Sequence, residues 1–535
     1  MKNLRPVLLL AGALCGANAG ASDAPDAQLD SLVGMSLADM LEVDLGTGTS
    51  KFVRQAPAVA YVISGDDIRR LGARNLLEVL QGVPGFFLYN LRANFNEPVA
   101  DLRGGFSERG GQVLFMLDGR PLRMVDNMTM PEILRLPMHL VERIEVVRGP
   151  VSALYGADAL TGAVNVITKK RPDEAGISTG SFGQRELWAG KSGRSGPFDW
   201  AISANHSRER ETLTAQILRQ PVRSYTESVE REYRDLTLRL TAGPWSLTTW
   251  AMRSGKDEAG GPPAQGPQGQ PFPPPQGAPA QEAPPSQTQG RSRHQHLELA
   301  YADRIDDKTD LRASVVRTTF EGGTESAAAA AAGLILPKRG ETHQSADLTL
   351  TRSLPEAHRL RLNLGLTRER RERGDNPPGP QFGAREGRSL VLQDEYAFAP
   401  DWELTAGWRI DHFSDFGSAN NPRLGLVWNT SAVLTSKLMF GQAFRPPVFT
   451  GADPVARQVA SETMRNVELA FDLRPHEQLR TALNLYRYRA HDLYVAGEGE
   501  LPPAGRGLGV RHGWRRRRKC PRSRAIPPRV RWRGH

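Results

Sequence analysis

Leu360-Arg361-Leu362-Asn363-Leu364-Gly365-Leu366-Thr367 alternates apolar and polar without a break. Leu236-Thr237-Leu238-Arg239-Leu240-Thr241 repeats the pattern, and Leu483-Asn484-Leu485-Tyr486 continues it less cleanly. Strict alternation gives a strand one apolar and one polar face. From about residue 171 to 500 the chain shows only such runs and turns, roughly fourteen or fifteen strands by counting them. The apolar face of that sheet must be covered. A soluble sandwich would cover it with a second sheet, and a transmembrane barrel with lipid. Trp245, Trp250, Trp402, Trp408 and Trp428 suit the interfacial aromatics of a barrel, although a sandwich core would also use tryptophan.

Residues 52–170 read differently. Ala58 to Ile63 predicts a strand. Ser64 followed by Asp67 resembles a capping box and opens a helix through Arg70. Leu76, Leu77, Val79 and Leu80 predict a second helix, closed by Gly82 and Pro84. Val113 to Leu117 predicts a strand ended by the tight-turn pair Asp118-Gly119. Ile144 to Val147 and Val164 to Thr168 are further strands, with a glycine-rich segment between them. The expectation is a small α/β domain followed by a large, predominantly antiparallel one.

Mean hydropathy is −0.44 and no run of eighteen apolar residues occurs, which excludes a helical membrane protein but not a barrel. Lys2 and Arg5, the apolar run Val7 to Leu14, and the small-x-small triplets Ala17-Asn18-Ala19 and Ala19-Gly20-Ala21 read as a secretory signal over 1–21. A linker spans 22–51. The two cysteines, Cys15 and Cys520, fall in the signal and in the tail, so the body holds neither a disulfide nor a thiolate metal site. The net charge of +10 is set by the tail: residues 501–535 hold eleven Arg and one Lys with no acid, which leaves −2 for the rest. The high pI is therefore no argument for nucleic acid. Residues 259–290, rich in Pro, Gln and Gly, and the alanine run 327–332 are expected to be long loops.

Four motifs then occur in order. Asp101-Leu102-Arg103-Gly104 is followed by Leu117-Asp118-Gly119-Arg120-Pro121. Next comes Val141-Glu142-Arg143-Ile144-Glu145-Val146-Val147-Arg148-Gly149-Pro150, continuing as Val151-Ser152-Ala153-Leu154-Tyr155-Gly156. The last is Ala159-Leu160-Thr161-Gly162-Ala163-Val164-Asn165-Val166-Ile167-Thr168-Lys169. Together they resemble the plug domain of TonB-dependent receptors. Asn421-Pro422-Arg423-Leu424-Gly425, Gly441-Gln442-Ala443-Phe444-Arg445-Pro446-Pro447 and Glu462-Thr463-Met464-Arg465-Asn466-Val467-Glu468 are similar to that family's mid-barrel strands. The resemblance implies an α/β plug over 52–170 inside a transmembrane antiparallel β-barrel that begins at 171. It marks Asp118, Gly119, Gly149, Pro150, Tyr155, Gly156 and Gly162 as plug-motif positions. It implies that the plug arginines Arg103 and Arg148 pair with barrel carboxylates, for which Glu395 and Glu468 are the candidates. The partner TonB, in the inner membrane, would grip a short segment, here Leu41, Glu42, Val43, Asp44 and Leu45. The ligand would be a small-molecule metal chelate, a ferric siderophore before cobalamin or haem, and the protein would sit in outer-membrane lipid. No resident cofactor is implied.

The rival readings are an enzyme, a nucleic-acid binder and a receptor fragment that no longer transports. No phosphate-cradling loop, nucleophile elbow or zinc helix supports catalytic residues. The basic tail alone would bind nucleic acid without specificity. A family barrel of 22 strands needs on the order of 450 residues, whereas 171–500 supplies 330. The expected barrel is therefore incomplete, and the tail from about 501 reads as an out-of-frame product, with an evolved basic tail as the alternative. His294-x-His296, beside a loop, is expected to be solvated rather than metal-bound.

Overall fold

The alternating runs form one antiparallel sheet of fifteen strands, and the mixed region before them a small sheet with short helices. The structure is a computed structural model that describes residues 42–43, 51–91, 97–104, 111–122, 131–217, 223–261, 286–326, 339–372, 384–447, 460–476 and 479–493. The expected signal, most of the linker and the tail lie outside the described residues.

The small domain opens with β1 (Glu42–Val43) paired to β2 (Lys51–Phe52), then β3 (Val59–Ser64). Ser64 caps α1 (Gly65–Leu71): its hydroxyl accepts from Asp67 N and its own N–H donates to the Asp67 carboxylate, both at 3.1 Å. This is the expected capping box. Asn75 caps α2 (Leu76–Gln81), which Gly82 closes. There follow β4 (Phe86–Leu91), β5 (Glu97–Leu102), β6 (Val113–Leu117), β7 (Arg120–Pro121), α3 (Pro131–Leu134), β8 (Val141–Arg148), α4 (Ser152–Tyr155) and β9 (Gly162–Thr168). β4 and β5 form a separate hairpin that the sequence patterns did not announce. The main sheet runs β3-β8-β9-β6-β7, with β6 and β9 parallel. Val113 to Leu117 is apolar at all five positions because both faces are covered. One face packs on Ile68, Leu76, Leu80 and Ile133. The other packs on Val53, Ala56, Ala58 and Val151.

The large sheet is consecutive: β10 (Glu174–Thr179), β11 (Arg185–Ser195), β12 (Phe198–Ile217), β13 (Arg223–Ala242), β14 (Trp245–Gly261), β15 (Ser286–Asp306), β16 (Thr309–Ser326), β17 (Arg339–Leu354), β18 (His358–Glu372), β19 (Ala384–Ala399), β20 (Trp402–Phe413), β21 (Gly417–Trp428), β22 (Leu434–Arg445), β23 (Glu462–His476) and β24 (Leu479–His491). Every neighbouring pair is antiparallel, and β10 and β24 are its edges among the described residues. Short connections such as 196–197, 243–244 and 400–401 lie at one end. The strand ends Ile217 and Arg223, Gly261 and Ser286, Ser326 and Arg339, Glu372 and Ala384, and Arg445 and Glu462 lie at the other. Parity does the rest. Leu362, Leu364 and Leu366 face outward and are exposed, whereas Asn363 between them faces in and is buried. The outward band recurs as Leu297 and Leu299, Leu390 and Leu392, and Leu483 and Leu485. At the short-turn end it terminates in aromatics: Trp402 stacks on Trp428 at 4.8 Å, and Trp245 meets Tyr301 edge-on at 5.0 Å.

Trp250 corrects the interfacial expectation. It is 4% exposed and belongs to the core shared with the small domain, beside Tyr233 and Met252. Five residues separate it from Trp245, an odd number, so a period of two sends the two rings to opposite faces. Trp408, six residues from Trp402, faces outward and is exposed.

A charge on the outward face should be costly and the same charge on the inward face tolerated. Leu364→Arg is expected to lose about 2–4 kcal/mol of wall stability in urea titrations in lipid, and Asn363→Arg less. Equal losses would contradict the assignment of faces.

Candidate functional site

The inward face of the wall is polar, and it meets the small domain along a set of charged and carbonyl contacts. Arg103 follows β5 at φ 57, in the left-handed region, with Gly104 at φ 70 completing the turn. Its backbone N–H is fixed by Gly85 O at 2.8 Å. The turn aims the guanidinium at the wall, where it grips Glu468 of β23 with two arms, one Nη1 to Oε2 at 2.8 Å. The pair is 7% and 2% exposed. Tyr486 of β24 lies under the guanidinium at 4.3 Å, and Asn466 donates to the same carboxylate at 3.3 Å. Gly149, at φ 97, passes directly beneath: a Cβ there would stand 3.4 Å from Arg103, Asn466 and Glu468 alike. The glycine is needed for its backbone angle and for the clearance.

A second group holds the entry to the small domain. Lys437 of β22 is buried and donates to three carbonyls of one loop, Val53 at 3.0 Å, Ala56 at 2.7 Å and Ala58 at 3.2 Å. Arg423 of β21 donates to Pro57 O at 3.2 Å. From the loop side, Arg54 donates to the carbonyls of Ala432 at 2.9 Å and Ser431 at 2.7 Å. Lys51 pairs with Glu395 of β19 at 2.8 Å and with Glu403 of β20. Gly425 admits this loop, since a Cβ there would meet Pro57 at 2.6 Å. Residues 51–58 are thus clasped by cations from both sides. Burial pushes the Arg54 guanidinium below its ordinary pKa, with Asp472 opposing the shift.

The remaining motif positions key the small domain to the wall. Asp118 and Gly119, at φ 48 and 80, make the expected turn. The Asp118 carboxylate accepts from Thr168 N at 2.8 Å and from Arg239 of β13 at 3.0 Å. Pro150 lies over Gly441, with its Cβ 4.0 Å from where a Cβ of Gly441 would stand. Gly156, just after Tyr155, leaves room for Arg409, 2.9 Å from its absent Cβ. Ser152 Oγ accepts from Phe444 N at 3.3 Å, and Asp158 N donates to Phe444 O at 3.2 Å. Gly162 fits only without a side chain, between Val147 O and Leu102.

Of the four residues expected to form plug–wall pairs, Arg103 and Glu468 meet. Glu395 is engaged by Lys51 and by Gln393 at 2.9 Å. Arg148 ends β8 with its Nε buried. Glu42 and Val43 pair with Phe52 and Lys51, while Leu41, Asp44 and Leu45 lie outside the described residues. Sequence reasoning missed Lys51, Arg54, Arg423 and Lys437. For the two strand residues a signal existed, because each has the parity opposite to an outward Leu424 or Leu438. His294 and His296 correct the solvated expectation: both are buried, His294 against Phe320 at 4.4 Å and His296 bonded to Thr318 at 3.0 Å. Among the described residues no three His, Cys, Asp or Glu side chains gather to hold a metal.

Comparisons with known proteins match this architecture. Residues 53–163 match the TonB-dependent receptor plug domain and residues 196–518 the TonB-dependent receptor-like β-barrel. The chain is 24% identical over 479 residues to the iron-regulated outer membrane virulence protein of Vibrio cholerae, covering 86% of this chain and 67% of that one. It is 32% identical over 182 residues to the ferric enterobactin receptor PirA of Pseudomonas aeruginosa, 31% of this chain and 24% of that one. In structure it superposes on the ferric enterobactin receptor PfeA of P. aeruginosa with a TM-score of 0.63 at 19% identity, covering 82% of this chain and 72% of that one.

Removing one partner of the buried pair should be worse than removing both. Glu468→Gln is expected to cost about 3–5 kcal/mol because Arg103 is left buried and uncompensated. The Arg103→Met/Glu468→Gln double variant should cost less. A double-variant cycle on hydrogen exchange of β8 and β9 reads the difference, and additive losses would contradict a direct pair.

Proposed function

The chain belongs to the TonB-dependent receptors, which sit in the outer membrane, and on that premise we propose that it is a receptor for energy-coupled uptake of an iron chelate, a ferric siderophore first. The names of its relatives support the cargo: one is an iron-regulated outer-membrane protein and others are ferric enterobactin receptors. The outer membrane lacks a store of chemical energy of its own, so the work has to arrive from TonB in the inner membrane.

The contact to TonB is assigned to Leu41, Glu42, Val43, Asp44 and Leu45, where a partner strand would add to the chain by backbone pairing. Residues 22–51 then serve as the periplasmic linker, 52–170 as the plug and 171–500 as the barrel wall. The observation that carries the mechanism is where the buried polar contacts lie. The clasped stretch 51–58 joins the linker to the plug just downstream of the TonB segment, so a pull that peels Glu42 and Val43 from Phe52 and Lys51 loads Lys51, Arg54 and the Lys437 carbonyl set next. Hydrogen bonds to a lysine exchange readily for water once the loop lifts. The Arg103–Glu468 pair then holds the rest of the plug in register until the motif 148–162 turns away from β22. Arg148 and Glu395 belong to the same lock in this reading.

A tether tests it. A Pro150→Cys/Gly441→Cys pair has the Cβ separation of a disulfide, about 3.5–4.5 Å. In cells lacking other iron receptors, the oxidised variant should bind a radio-iron catecholate siderophore at the surface and fail to import it. Reduction should restore TonB-dependent import. Import by the oxidised variant would contradict plug movement away from β22. Failure of the untethered chain to bind the siderophore would contradict the cargo alone.

A further inference from the structure

Between the plug and wall strands β12 to β14 lies a cavity of about 30 Å³. That is room for roughly two particles the size of water. The plug lines it with apolar side chains such as Leu136 and Leu140, and with Thr168. The wall lines it with oxygen: Ser203 and Asn205 of β12, and Asp235 and Thr237 of β13. The register explains the grouping, since Ser203 stands opposite Thr237 and Asn205 opposite Asp235. Residues two apart on a strand share a face, and opposed pairs on one face have Cβ atoms about 4.5–5.5 Å apart. The four therefore form a two-by-two patch on the inward face, while Leu236, between Asp235 and Thr237, is exposed outside.

Two groups of that patch are unanswered. Asn205, 6% exposed, donates through Nδ2 to Glu186 at 3.3 Å, which leaves its Oδ1 buried and without a hydrogen-bond partner. The Asp235 carboxylate meets neither a donor nor a cation among the described residues. Neighbouring acids are served: Glu186 has His139 at 3.0 Å. The inward bases of β13 are already taken, Arg231 by Glu211 at 2.8 Å and Arg239 by Asp118 at 3.0 Å. A carboxylate facing leucines is costly unless a positive charge answers it. Water in the cavity would satisfy the hydroxyls and the amide oxygen, but it carries no charge. Calcium takes about six to eight oxygens and magnesium a strict octahedron. One carboxylate among a few neutral oxygens suits a singly charged hard cation instead.

We propose that Ser203, Asn205, Asp235 and Thr237 form a sodium site between wall and plug. Asp235 supplies the charge, and Asn205 Oδ1 and the two hydroxyls supply neutral oxygens. Thr168 adds a ligand from the plug: its hydroxyl donates to Asp118 at 2.7 Å, and its lone pairs remain for the ion. The ion ties β9 of the plug to β12 and β13, whereas the 51–58 clasp meets β19 to β22. The site needs no trio of acidic or histidine ligands, and it does not depend on which cargo the receptor carries.

The test uses the full chain in zwitterionic detergent micelles at constant ionic strength, with sodium chloride exchanged for choline chloride. Radio-sodium retained at equilibrium and the melting temperature are read together. The unaltered chain should retain a single sodium and melt higher in sodium than in choline. Asp235→Asn keeps the shape of the side chain and removes its charge, so it should retain no sodium and melt alike in both salts. Thr237→Val leaves Asp235 in place and should weaken binding roughly tenfold, the loss of one polar contact to a charge. If the unaltered chain retains no sodium and melts alike in both salts, the cavity holds water alone and the proposal is overturned. Undiminished retention by Asp235→Asn would overturn it as well, and so would displacement of the sodium by equimolar calcium.

Discussion

The wall of this receptor is one residue thick, and both of its sides are occupied. Lipid offers no hydrogen bonds, so every backbone group of a spanning strand must pair with a neighbouring strand. That requirement fixes the antiparallel ladder from β10 to β24 and leaves side-chain parity as the only freedom. Outward positions become leucine and inward positions become polar, as Leu362, Asn363 and Leu364 show in three consecutive residues. The plug then has to fit a polar lining rather than an apolar one. Its sheet is buried on both faces, but its rim is studded with Arg103, Arg120, Arg135 and Asp118, each answered from the wall.

A polar interface of this kind has a property that a purely apolar one lacks. Buried ion pairs contribute little net stability, because the desolvation of both charges offsets their attraction, while a pair that loses one partner leaves a costly uncompensated charge. The plug is therefore held in register without being cemented. Apolar contact is most extensive on one flank, where Tyr233, Trp250 and Met252 join the plug core, and smaller patches set Ala157 against Phe413 and Phe444, Leu160 against Ala443 and Met464, and Val59 against Met439 and Ala470. The side towards β19 to β23 adds to those patches the cations that sit on carbonyls and carboxylates. That cation-rich side is the one reached first from the N-terminus.

Local chemistry was legible in the sequence to the extent that it depended on neighbours in the chain. The Ser64 capping box, the Asp118-Gly119 turn and the alternation of β18 are short-range features, and they stand where the pattern placed them. Parity also carried more than was drawn from it, since the odd spacing of Trp245 and Trp250 already sends one ring inward. The plug–wall partners were not legible by such means. Lys437 and the carbonyl of Ala56 are 381 positions apart, and Arg103 and Glu468 are 365 apart. Nothing local states which inward residue of which strand faces which plug loop. Arg103 and Glu468 were reachable only by likeness to a family. Lys437 donates to three backbone carbonyls, and a carbonyl carries no mark in the sequence.

Force spectroscopy on the full chain in a lipid bilayer, pulled from the segment before Lys51, addresses the central claim most directly. If residues 51–58 are the clasp, the first event is a small step of about 25–30 Å, the extended length of eight residues, and it disappears in Lys437→Met while later steps remain. A first event that releases the whole plug at once, or one unchanged by Lys437→Met, would contradict the account.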